Sequence, residues 1–302
     1  MDLIILGDIH LLEKNPIARK DDLTSTQWVK LKQVFERAWL QHQSNGAIVC
    51  IPGDFTDKPR SWNLLREIIR FLKFYQLPVL AVFGQHDTYM NSSKLRPYTN
   101  LGMLAEFDLV KILGSKPLSL GEYDFYGASW GEDIPEIENP NKVNVLLTHR
   151  SIAENPLYPG HNYIDAEDFS EEHDFDIIIC GDIHREFIIQ NCWSNWIVNA
   201  GPLLRKEATK YNFSHLPCFY IYSKNKFFRT SVSSQRGLKV LSRKHMVKEN
   251  EMLVEHFDIE INEDEELTFK QELLLVMQEF EDEFETEFVI DILGNIMEVK
   301  DG

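Results

Sequence analysis

The chain has 302 residues, 43% of them hydrophobic and 26% charged, with a formal net charge of -17. It is long enough to bury a large core, and its overall sign argues against a generic nucleic-acid-binding face while leaving room for a local one. No apolar run is long enough to span a bilayer, no charged start precedes an apolar signal stretch, and the four cysteines (Cys50, Cys180, Cys192, Cys218) lack metal-type spacing, so a cytoplasmic protein with reduced thiols is expected.

Leu3 to Leu6 is an apolar run of strand length that ends at Gly7-Asp8-Ile9-His10. Leu23 to His42 has helical spacing, with Trp28, Leu31, Phe35, Ala38 and Trp39 on one stripe. Gly46 resets the chain before a strand at 47–51. A helix carrying Trp62, Leu65, Ile69 and Leu72 follows, and then a strand at 78–83. The order strand, helix, strand, helix, strand implies right-handed crossovers and a parallel sheet. Leu95 to Glu106 includes a short helix, and 109–113, 117–120 and 122–128 read as short strands. A strand at 143–147, a short helix over 165–173 and a strand at 176–180 come next. Runs at 187–190, 196–199, 218–222 and 227–232 complete a strand-rich second half. The expected fold class is α/β: a two-sheet sandwich, one sheet mostly parallel and one mixed, flanked by helices. The expected division is a catalytic domain over 1–235 and a basic-then-acidic appendage over 236–302, whose stretch from Thr268 to Phe288 has an apolar helical stripe.

Five of the apolar runs end in Asp, His or both. The C-terminal ends of buried strands are where open α/β folds place their chemistry. Two divalent ions about 4 Å apart need several oxygen and nitrogen ligands, one of them shared. Asp8 and His10 would hold one ion, with Asp54 bridging, and Gln85, His149, Asp182 and His184 would complete the set. His86 is left as a proton donor or an oxyanion contact. Asp57 and Asp87 would support the site as carboxylates that orient imidazoles.

Asp8-x-His10, Gly53-Asp54-x-x-Asp57, Gly84-Gln85-His86-Asp87, Thr148-His149 and Gly181-Asp182-x-His184 resemble, in order and spacing, the motifs of the calcineurin-like metallophosphoesterase family. Within that family the chain looks most like the SbcD-type double-strand-break-repair nucleases and related phage recombination nucleases. The stretch Val198-Asn199-Ala200-Gly201-Pro202-Leu203-Leu204-Arg205 resembles the segment after their last metal motif. The resemblance covers roughly 1–232. It implies Asp8, His10 and His184 on one metal and Gln85, His149 and Asp182 on the other, with Asp54 shared and His86 assisting the leaving group. It implies Mn²⁺, with Mg²⁺ as the alternative, and 3′–5′ exonuclease and single-strand endonuclease activity in DNA repair, recombination or phage DNA processing. It also implies an SbcC-type ATPase partner and a homodimer. Two positions depart from the pattern: Gln85 stands where the family has Asn, and Asp182 where it has His. Read together, they describe either a second metal site that is re-shaped and still occupied, the favoured reading, or one in decay.

Residues 208–248 contain nine Lys/Arg and no Asp/Glu, while 249–302 contain 19 acids. The basic block suits phosphates. Lys224, Lys226 and Arg229 within it, and Arg185 and Arg205 nearer the metal motifs, are the candidate DNA contacts. The acidic stretch would either fold back on the block or present its apolar stripe to a partner. Two alternatives stay open: a phosphatase or phosphodiesterase on a small ester, and a non-enzymatic scaffold with a degenerate metal site.

Overall fold

The computed structural model describes residues 1–157 and 161–246. In chain order these form β1 (Asp2–Ile5), α1 (Leu23–Asn45), β2 (Ala47–Ile51), α2 (Trp62–Tyr75), β3 (Val79–Ala81), α3 (Asn100–Glu106), β4 (Lys111–Ile112), β5 (Leu118–Leu120), β6 (Tyr123–Ala128) and β7 (Val143–Arg150). They continue with β8 (Ile152–Ala153), β9 (Ile164–Asp165), α4 (Ala166–Glu172), β10 (Ile177–Asp182), β11 (Phe187–Gln190), β12 (Trp196–Asn199), α5 (Lys210–Ser214), β13 (Cys218–Ser223), β14 (Lys226–Ser231) and α6 (Gly237–Val240).

Two six-stranded sheets stack face to face, with strand orders β14-β13-β1-β2-β3-β4 and β11-β12-β10-β7-β6-β5. Both sheets are mixed, where only one was expected to be. Each has a parallel core, β1 to β4 in the first and β12, β10, β7 and β6 in the second, with antiparallel strands at one margin of the first (β13 and β14) and at both margins of the second (β11 and β5). Period-two alternation sorts the apolar side chains. Leu3, Ile5, Ile48 and Cys50 meet Phe125, Val145, Leu147 and Ile179 between the sheets. Ile4, Val49 and Ile51 turn outward onto Leu31, Val34 and Phe35 of α1 and Leu65 and Ile68 of α2. On the far side, Tyr126, Leu146 and Ile178 pack under Phe169 of α4. Burying each such side chain contributes about 1.5–3 kcal/mol.

The helices start where capping chemistry allows. Asp22 accepts from Ser25 N to open α1, and Ser61 accepts from Leu64 N to open α2. Two residues expected on apolar stripes face solvent instead: Trp39 is 44% and Trp62 82% exposed. Each lies beside a buried position but just off the stripe that its helix can bury. The described residues beyond 235, where the appendage was expected to begin, pack on the earlier chain. Val240 and Leu241 pack on Ala18 and Ala208, and Ser242 N donates to Ala18 O. The acidic stretch that follows, with its expected helix and partner role, lies outside the described residues. No helix among the described residues is long and apolar enough to cross a membrane.

Candidate metal centre

Because both parallel cores point the same way, the C-terminal ends of β1, β2, β3, β7 and β10 converge at one end of the sandwich. Asp8 and His10 follow β1, Asp54 follows β2, Gln85 and His86 follow β3, His149 lies near the end of β7, and Asp182 closes β10, with His184 just beyond. Backbone bonds fix these turns to one another. Ile9 N and His10 N donate to Asp54 O at 3.2 and 2.8 Å, and Leu203 N donates to Asp8 O at 3.1 Å. Gln27 of α1 clamps the first loop by pairing with both the N–H and the carbonyl of Leu12.

Three of the site residues hold left-handed backbone: His10 (φ 48°), Asp54 (φ 47°) and Asp182 (φ 80°). Such conformations cost of order 1–3 kcal/mol each and concentrate at functional sites. The glycines that mark the motifs give up space to the site's own side chains. A Cβ on Gly84 would lie 2.0 Å from Asp54 Oδ1, one on Gly53 2.3 Å from His149 Nδ1, and one on Gly181 2.6 Å from Asp8 Oδ1.

The side chains form one continuous cluster. Asp54 Oδ2 sits 3.5 Å from His10 Nε2 and 3.4 Å from His149 Nε2, midway between two imidazoles. His184 Nε2 lies 3.0 Å from His10 Nε2 and 3.7 Å from Asp8 Oδ2. His149 Nε2 lies 4.0 Å from Asp182 Oδ1, while its Nδ1–H donates to Pro52 O at 2.7 Å and so turns Nε2 toward the cluster. Gln85 Nε2 donates to Asp182 Oδ1 at 2.8 Å. The two departures from the family pattern therefore touch each other. The extra methylene of glutamine lets its amide reach the carboxylate, and its oxygen is left over.

Asp8 Oδ2, Asp54 Oδ2, Gln85 Oε1 and His149 Nε2 are all buried without a hydrogen-bond partner. Burying one such group unpaired costs about 1–3 kcal/mol, and more when it is charged. Four together, with convergent lone pairs, are what a bound cation satisfies. The His10–His184 spacing fits as well, since two nitrogens each about 2.1 Å from one ion at a right angle lie about 3.0 Å apart. Asp8, His10, His184 and Asp54 could hold one divalent ion, and Asp54, Gln85, His149 and Asp182 a second.

The electrostatics agree. Burial, with Asp54 and Asp182 adding to it, raises Asp8 to about 8 despite the nearby His149. Burial opposes the His149 imidazolium, but Asp54, Asp8 and Asp182 outweigh it and raise the ring to about 10. Burial also works against an ionised Asp54, and His149 more than offsets it, so its carboxyl titrates below the usual range. Burial, then Lys206, lowers His184 to about 4 and holds His10 well below its ordinary value. Protons thus stand where cations belong.

The supporting residues behave less uniformly. Asp57 O accepts from His86 Nδ1 at 2.9 Å, which fixes that ring, and its carboxylate lies 3.9 Å from His10 Nδ1. Asp87, expected to orient an imidazole, touches none. It accepts from Phe55 N, Thr56 N and Gly84 N and so braces the β2 loop against the β3 loop. Of the expected substrate contacts, Arg185 adjoins His184 and lies over the Tyr211 ring at 5.9 Å. Arg205 is buried at 1% exposure, with its guanidinium on the carbonyls of His215 and Gln235, and it cannot meet DNA. Arg229 is engaged by Glu186 and by Leu216 O. Lys224 and Lys226 flank the β13–β14 turn. Because β13 runs antiparallel to β1, with Leu3 opposite Tyr222, that turn lies at the opposite end of the sheet from Asp8, roughly 20 Å away. Sequence reasoning missed Lys206, whose ammonium pairs with Asp57 beside His10. Its signal was its place directly after Arg205, in a segment tied to Asp8.

A helix-flanked double sheet with convergent carboxylates and imidazoles at one end is the frame of a metal-dependent hydrolase. A model of the calcineurin-like phosphoesterase family matches residues 1–186, and the chain belongs to that family. Its members use a pair of divalent metals. No curated protein matches the chain. Among solved structures it is similar to TT1561 of Thermus thermophilus (12% identity, 77% of this chain and 99% of that one, TM-score 0.48). It is also similar to a metallophosphoesterase from Sphaerobacter thermophilus (14% identity, 77% and 88%, TM-score 0.35) and to a 5′-nucleotidase precursor from Thermus thermophilus (9% identity, 92% and 60%, TM-score 0.40). The chain is thus a metal-dependent phosphoesterase.

Proposed function

We propose that this phosphoesterase is a nuclease that cleaves DNA with two Mn²⁺ ions, Mg²⁺ being the alternative. The observation that carries the reading is Lys206, whose ammonium pairs with Asp57 beside His10, together with Lys58 and Arg185, the chain neighbours of Asp57 and His184, in a chain whose net charge is -17. Positive charge kept at the mouth of an acidic protein suits a polyanionic substrate. The resemblance of residues 198–205 to the SbcD-type nucleases supports the same reading.

The ions, when bound, polarise the phosphodiester and provide an activated water. The rest falls to the side chains. Asp57 O holds the His86 Nδ1–H, so Nε2 is the nitrogen left to face the substrate, and in the imidazolium form it carries the proton that goes to the departing oxygen. Lys206, held by Asp57, supplies a cation for a non-bridging oxygen. The test is digestion of linear and single-stranded DNA with Mn²⁺, for the natural chain and for His86→Ala. Metal-dependent cleavage that falls about 10²–10⁴-fold in the variant supports the reading. Faster turnover of small mono- or diesters, with DNA untouched, overturns it.

A further inference from the structure

The outward face of α2 carries Trp62, Arg66, Arg70 and Phe74 at successive spacings of four, so each side chain stands over the next. Trp62 is 82% and Phe74 79% exposed. Within 58–73, Lys58, Arg60, Arg66, Arg70 and Lys73 stand with Glu67 as the one acid, and the Glu13 carboxylate accepts from Ser61 Oγ and Asn63 Nδ2 at the start of the helix. The helix begins five residues after Asp57, whose carbonyl orients His86, so Trp62 stands at the site end and Phe74 about 18 Å further along. At the same end, the Arg60 guanidinium lies 4.0 Å over the Tyr89 ring and its Nε donates to Tyr98 O. Tyr98 and Met90 are themselves 65% and 71% exposed.

We propose that this face is a track for single-stranded nucleic acid leading away from the metal centre, an inference that rests on the nuclease reading above. Unpaired bases stack on the aromatic rings and the arginines meet the phosphates between them, the combination that binds single strands without reading sequence. The 18 Å from Trp62 to Phe74 spans a few nucleotides, roughly five phosphates even at duplex spacing. Charge decides against a second copy of the chain as the occupant. An isologous contact would set Arg66 and Arg70 against themselves, with Glu67 the one acid on the helix and Glu13 engaged by Ser61 and Asn63 at its site end. This face, on α2, replaces the β13–β14 turn as the substrate surface.

The test is the affinity of the full chain for a fluorescein-labelled 15-nucleotide oligo-dT, read by anisotropy in EDTA. The variants are Trp62→Ala, Phe74→Ala, the pair Arg66→Glu/Arg70→Glu, and Lys224→Glu at the far end of the sheet. Each aromatic truncation should weaken binding on the order of tenfold, and the charge reversal by more, with melting temperatures unchanged. Lys224→Glu should bind like the natural chain. Natural-chain binding that survives all the α2 changes overturns the track and leaves the nuclease reading intact. A dimer seen by sedimentation and lost in Trp62→Ala, with oligonucleotide affinity unchanged, makes the face a self-interface and also overturns it. A natural chain that neither binds nor cuts the oligonucleotide with Mn²⁺, yet hydrolyses small esters, shows that the nuclease reading itself has failed.

Discussion

The contact between Gln85 and Asp182 is the feature that distinguishes this centre, and a double-mutant cycle measures it. The bond is 2.8 Å long, with a neutral amide donating to a carboxylate that is only 14% exposed. A hydrogen bond to an ionised partner contributes about 1.5–3 kcal/mol, and the partial exposure of Asp182 places this one toward the lower end. Urea unfolding of Gln85→Ala, Asp182→Ala and the double variant in EDTA should therefore give a coupling of about 1.5–2 kcal/mol. Gln85→Asn, one methylene shorter, should lose the contact as Gln85→Ala does. The double swap Gln85→Asn/Asp182→His recreates the pair that the family resemblance implies. It should recover second-site Mn²⁺ binding lost by either single swap, as read by calorimetry. Single-variant costs that add to within about 0.5 kcal/mol would refute the pairing.

Three other expectations follow from the same geometry. Asp8 at about 8 and His149 at about 10 both lie above their unfolded values. The native metal-free chain therefore holds protons that the unfolded chain releases, and that stability is lost as pH rises through these values. The urea midpoint in EDTA should fall between about pH 6.5 and 8, where both groups act, with the buried Lys30, lowered to about 7, offsetting the fall above that, and it should flatten when saturating Mn²⁺ replaces the protons; a flat or rising midpoint over that window in EDTA contradicts this. Asp87→Ala should cost about 3 kcal/mol or more, because Phe55, Thr56 and Gly84 each lose the acceptor for a buried N–H. Chemical denaturation checks it, and a cost below about 1 kcal/mol would rule out the bracing role. Gly84→Ala pushes a methyl to within 2.0 Å of Asp54 Oδ1 and should weaken Mn²⁺ binding about 10–100-fold by calorimetry. Unchanged affinity would mean that Asp54 is not confined as described.

The metal centre was legible because its signal is local. Apolar runs end in glycine followed by Asp or His, and the parallel cores turn five separate strand ends into one place. The glycines were readable for the same reason, although what they accommodate, the side chains of Asp54, His149 and Asp8, appears only in three dimensions. The proposed substrate face was not legible. Counting charges over 208–248 gathers residues that the topology scatters: Arg229 is spent on Glu186, and the reversal of β13 against β1 carries Lys224 away from the site. Outside that block, Arg205 is buried against backbone carbonyls. Trp62 reads as one more apolar residue at helical spacing until the cap at Ser61 fixes the helix phase and leaves the ring outside. The pairing of Gln85 with Asp182 joins residues 97 positions apart, and no local pattern encodes it.

The central claim is a two-ion centre built on Asp54. Anomalous scattering from crystals of the full chain soaked in Mn²⁺ tests it most directly. The account predicts two peaks with Asp54 between them, one beside Asp8, His10 and His184 and the other beside Gln85, His149 and Asp182. A single peak, or none at these strand ends, would contradict it.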